Sequence, residues 1–156
     1  MTDTIAFSDA VVALRSFARR YREVLSGPAG DDAWERLVRR PDASGHSALA
    51  IAAHAGSLLD ALIATLHTLP STAAPAFTHP PLRTVADDVA IDAVLGHVAR
   101  ASSAAADALW SRRTDDAERP VSIDGVNGDV ATVVSEVVTQ VADHLRSAQK
   151  AIDNAR

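Results

Sequence analysis

Four long stretches of the chain place apolar side chains at alternating intervals of three and four residues, and that 3.6-residue period allows one kind of secondary structure. The first carries Phe7, Val11, Leu14, Ala18, Tyr21 and Leu25, and stops at Gly27 and Pro28. The second starts near Ser47 and runs to about Leu66, with a stripe of Ala48, Ile51, Ala55, Leu58, Leu62, Leu66 and Leu69. The third begins near Thr84 or Asp87 and ends around Arg113, on Ile91, Leu95, Val98, Ser102, Ala105 and Leu109. The fourth runs from about Gly128 to the C-terminus, on Val130, Val134, Val137, Val141, Leu145, Ala148 and Ile152. A shorter segment, AWERLVRR, has room for a turn or two of helix before Pro41.

The connections are rich in Pro, Gly, Asp and Ser. LPSTAAPAFTHPPLR holds four prolines and cannot be helical throughout. TDDAERPVSIDGVNGD reads as a second irregular connection, with VSI as at most a stray strand. No alternating strand pattern competes with the helical one. The expectation is an all-α chain, a single four-helix bundle over residues 1–156, with long loops after the second and third helices.

Composition narrows the function classes. Apolar residues make up 47% of the 156, yet aromatics only 4%, so small side chains must carry the packing. The net charge of −5 argues against a nucleic-acid surface, which needs a basic face. Lys150 is the sole lysine, an Arg-for-Lys bias that resembles proteins from GC-rich bacteria. Without cysteine there is no disulfide, no Cys-ligated metal and no thiol nucleophile, so any thiol chemistry uses a thiol from outside. MTDTIAFSDA lacks the basic and apolar regions of a signal peptide, and no apolar run reaches the ~18–20 residues of a membrane span. The expected setting is the cytoplasm, with neither membrane nor nucleic acid as partner.

Helix geometry sorts the polar residues by face. On the fourth helix His144 lies about 60° from the centre of the apolar stripe, Gln140 about 100° and Glu136 about 140°. His144 is therefore expected to be mostly buried, Gln140 at the boundary and Glu136 toward solvent. His54, on the second helix, lies about 80° from its stripe, also at the boundary. His67 points to the surface, His97 sits off its stripe, and His46 and His79 fall in loops. Two histidines on different helices can thus meet inside a bundle, where such proteins build metal and ligand sites. Gln140 is a third donor through its amide oxygen and Glu136 a reserve, though a metal centre with an open position needs at least three protein ligands. The competing account of His54 and His144 is a pair of hydrogen-bonded structural histidines. Trp34 and Trp110 are expected as packing anchors, and Arg19, Arg20 and Arg22 as a solvated helix face.

On these residues the chain resembles the DinB-like superfamily, which includes the mycothiol-dependent maleylpyruvate isomerases and related bacterial thiol transferases. The resemblance lies in the histidine within LAIAAHAGSLLDAL, in QVADH as an HxxxH-type pair, and in length, helix order and the long loop after the second helix. It implies a divalent metal, zinc or nickel, on His54, Gln140 and His144. It further implies a low-molecular-weight thiol as cofactor, a small-molecule substrate, a transferase or isomerase reaction, and a homodimer. A second frame matches EVVTQVAD to an ExxxHxxD run, pairs Glu136 with Gln140 and leaves His144 outside; the wheel favours the first. In either frame Gln140 stands where the family has histidine. That departure implies an altered metal site, or a non-catalytic bundle that keeps a small-ligand pocket or a dimer surface and has lost the metal.

Overall fold

A computed structural model describes residues 4–28, 30–69, 75–112 and 114–156. Helices dominate: α1 (Phe7–Leu25), α2 (Asp32–Arg39), α3 (Ala48–His67), α4 (Ile91–Trp110) and α5 (Val130–Ala155). A three-stranded sheet, β1 (Ala76–Phe77), β2 (Pro120–Ile123) and β3 (Val126–Asp129), lies in the two connections expected to be irregular. Helix α1 packs on α4 and α5, and α3 packs on the same two from the other side, so the four long helices enclose one contiguous core. The stripes read from α3, α4 and α5 are all buried, from Ala48 to Leu69, Ile91 to Leu109 and Val130 to Ile152. Along α1, Phe17 joins Leu14, Tyr21 and Leu25 at zero exposure.

Helix starts follow their caps. Asp31 opens α2 by accepting from the N–H groups of Ala33 and Trp34, Ser47 opens α3 through Ala50 N–H, and Asp129 opens α5 through Thr132 N–H. The third long helix begins later than its periodicity suggests, at Ile91 rather than Thr84 or Asp87, and ends at Trp110 rather than Arg113. Arg39 braces the segment just ahead of this helix. Its Nη2 donates 2.6 Å to the carbonyl of Val89, the acceptor that an earlier helix would offer to Ala93. Ala90 is extended instead.

The sheet corrects the expectation of irregular loops. Val121 pairs with Gly128 and Ile123 with Val126 in an antiparallel hairpin, while Ala76 and Phe77 run parallel to Ser122 and Ile123. Asp124 (φ 50°) and Gly125 (φ 84°) make the two-residue turn, the left-handed pair that an Asp-Gly step favours. Phe77 and Val121 face the core from this sheet. Of the long loop, residues 70–74 lie outside the described part.

Two further expectations change. Trp34 is an anchor: its ring packs over Gly27, and its Nε1–H donates 2.9 Å to the carbonyl of Leu25. Trp110 is not, with 73% of its surface exposed at the end of α4. Among the described residues one helix, Ala48–His67, is long and apolar enough by composition to cross a membrane, contrary to the reading that no run is; in the fold 61% of its apolar window is buried against the other helices.

Candidate functional site

Along α5, Glu136, Gln140 and His144 rise one turn apart on a single edge of the helix. That edge faces α3 and the segment after β1, and two polar clusters form there. In the first, His54 and His144 meet across 90 residues of sequence, with His54 Nδ1 2.7 Å from His144 Nε2 and the rings stacked at 5.0 Å. The far nitrogen of His54, Nε2, lies 2.8 Å from the carbonyl of Pro80. A carbonyl only accepts, so Nε2 carries the hydrogen; in the neutral ring Nδ1 is then the acceptor, and His144 Nε2–H is the donor between the rings. Burial first, and the facing His54 second, push His144 down from 6.5 to about 4, against a smaller opposing pull from Asp143. His144 is therefore a neutral imidazole at physiological pH.

The second cluster centres on His79. Its backbone N–H donates 2.9 Å to Asp124 Oδ1, and its Nδ1–H donates to Asp124 Oδ2. The two bonds hold the Asp124 carboxyl below the usual carboxylate range, the backbone bond most and the imidazole next. Phe77 sets its ring edge-on to the imidazole, 5.0 Å away at 87°. Fixed on both sides, His79 turns Nε2 toward α5, 3.2 Å from Gln140 Nε2 and 3.3 Å from Glu136 Oε2. That Glu136 oxygen is sealed from solvent and accepts no hydrogen bond.

The three residues that sequence reasoning put forward thus divide. His54 and His144 are brought together, both half-buried, which is the boundary position expected of His54 and less burial than was expected of His144. Gln140 keeps its boundary position, but its amide reaches His79. Glu136, expected toward solvent, turns one oxygen inward. His79 and Asp124 were missed. The Asp-Gly step between VSI and VNG was the available signal, because a hairpin there fixes where the Asp124 carboxylate points. No sequence signal marks His79, which arrives through parallel pairing of β1 with β2. Among the described residues, no three His, Cys, Asp or Glu side chains form a group able to hold a metal ion.

Beside His54 a cleft of about 290 Å³ opens to solvent between α3 and the Pro80–Val85 segment, with Ser57 and Arg83 on its walls. The other histidines stand apart: His97 pairs with Asp60 at 2.7 Å on the α3–α4 surface, and His67 is exposed. Arg19 and Arg22 are exposed, while Arg20 lies over the Phe17 ring at 5.6 Å.

No protein-family model matches the chain, and no curated protein matches it in sequence.

Proposed function

We propose that the protein is a DinB-like four-helix bundle that binds a divalent metal, zinc or nickel, at the His54–His144 pair and serves a thiol-dependent transferase or isomerase reaction. One observation carries this reading: two imidazoles from different long helices face each other through ring nitrogens 2.7 Å apart, beside a cleft open to a small molecule. Imidazole nitrogens are the donor type a zinc-class ion takes, and such an ion would replace the hydrogen that His144 Nε2 now donates to His54 Nδ1. His144 stays neutral to about pH 4, and the Pro80 carbonyl, by holding the proton on the far nitrogen of His54, leaves the Nδ1 lone pair directed inward. Gln140 is the third donor the resemblance implies. A bound ion of this kind lowers the pKa of a coordinated low-molecular-weight thiol. The chain itself orients His54 through Pro80, limits water at His144 by burial, and admits substrate along the Ser57–Arg83 cleft. A cytoplasmic homodimer is part of the same reading.

A second reading is favoured by Gln140, whose amide engages His79. On that reading the protein is a non-catalytic bundle that binds a small ligand or dimerises, and the histidine pair is structural. Metal analysis of protein purified without chelator, followed by zinc and nickel titration of the wild type and His54→Ala, separates the two. One ion per chain that is lost in His54→Ala supports the enzyme. Trace metal and no binding on titration refute it.

A further inference from the structure

A separate cavity of about 460 Å³ opens where α1 and α5 begin and α4 ends. Its walls are residues 4–8, Arg112 just past α4, Ala117, and Ala131 in the first turn of α5. Ile5 seats the N-terminal wall on α5, its N–H donating 2.7 Å to Ser135 Oγ. Small-molecule sites span roughly 300–1,000 Å³, so the space is enough for a ligand of modest size.

Among the described residues of these walls Arg112 alone is charged, in a chain whose net charge is −5. Arg15, Arg39, Arg119 and Arg146 each hold a carboxylate, whereas Arg112 holds none. Its Nε is sealed from solvent without an acceptor, so the root of the guanidinium is embedded in the wall. The two Nη groups are not sealed, and they too lack an acceptor among the described residues. A cation that has lost part of its hydration and gained no partner is costly, and an anion at its open edge offsets that cost. That edge presents two parallel N–H donors, which match the two oxygens of a carboxylate. Thr4 and Ser8 add hydroxyls to the same walls, and the N–H groups of Phe7 and Ser8 have no acceptor, because Ala6 opens α1 without a side-chain cap.

The geometry points to a binding site for a small organic carboxylate, its two oxygens on the Arg112 Nη groups and its apolar body against Ile5, Phe7, Ala117 and Ala131. One guanidinium matches one negative charge, and the mostly apolar walls suit the carbon body of an organic acid better than the doubly charged, fully hydrated phosphate. Arg112 is the anchor, and the start of α1 only adds donors around it. The site goes beyond the function proposed above, since it shares none of His54, Gln140 and His144 and needs no metal.

The test uses the full chain with EDTA present. Acetate and benzoate are the probes, and inorganic phosphate and chloride at matched ionic strength are the comparison anions. ¹H–¹⁵N spectra follow binding at the Arg112 Nε–H and at the backbone N–H groups of Phe7 and Ser8, and thermal melts follow stabilisation. In the wild type a carboxylate should give saturable shifts at all three positions and raise the melting temperature above that in chloride. Arg112→Gln should bind it roughly 10–100-fold more weakly. Arg112→Lys, which keeps the charge and loses the fork, should recover only part of the loss. His54→Ala should bind as the wild type does. Melts in chloride confirm that each variant is folded, and the wild-type shifts need no variant at all. Saturable shifts from phosphate with none from either carboxylate would overturn the ligand class. No saturable shift from any anion, equal shifts from chloride, or carboxylate shifts that persist undiminished in Arg112→Gln would overturn the site itself.

Discussion

Acidification should destabilise the fold through His144 in a calculable way. Its folded pKa is depressed to about 4 from 6.5, so above pH 6.5 the ring is neutral both folded and unfolded. Between those values the unfolded chain binds a proton that the folded one excludes, and stability falls as pH falls. At pH 5 a shift of this size corresponds to about 2 kcal/mol. The ring is only partly buried, and solvent screening reduces the expected loss to about 1 kcal/mol. The comparison is His144→Gln, whose amide N–H replaces the donor to His54 Nδ1 without titrating. Urea unfolding at pH 7.5 and pH 5.0, with EDTA present to exclude bound metal, should show the wild type losing about 1 kcal/mol more than the variant. At an m-value of about 2 kcal/mol/M, that is a midpoint difference of about 0.5 M. Equal losses in both proteins would refute the claim that a neutral His144 is required by the fold.

Gly27→Ala should destabilise by about 1–3 kcal/mol, because a Cβ there would sit 2.3 Å from the Trp34 ring; the melt and a changed tryptophan emission report it. Tyr21→Phe should cost about 0.5–1.5 kcal/mol, since it removes only the buried hydroxyl that donates 2.6 Å to the Val141 carbonyl, and denaturant unfolding measures it. Asp129→Ala removes the acceptor of both the Thr132 N–H and the Thr132 hydroxyl at the start of α5. It should cost about 1 kcal/mol, with faster amide exchange confined to the first turn. Gly56→Ala should be milder. Its Cβ would meet the His97 ring at 2.7 Å, but that side chain is partly exposed and can swing outward, so loss of the His97–Asp60 contact, seen in imidazole chemical shifts, is the main expected effect.

The sequence by itself determined the helices and their inner faces. A 3.6-residue apolar period is a local property, and burying it is the main gain available to such a chain, so the stripes on α3, α4 and α5 emerged in the core as read. The same geometry placed His54 and His144 close enough to the interior to meet, and they do. Where the helix register runs out, so did legibility. Ala76–Phe77 and Pro120–Ile123 are too short to show a period, and their pairing depends on segments more than forty residues apart meeting beside α3 and α5. Only that pairing carries His79 to Asp124 and turns its second nitrogen onto α5. The inward turn of Glu136, which the wheel alone sends toward solvent, is likewise decided by what stands opposite it. Helix periodicity selects the face of a side chain, but the partner it meets is set by the tertiary approach of distant backbone. For Gln140 that partner is the imidazole of His79, 61 residues away.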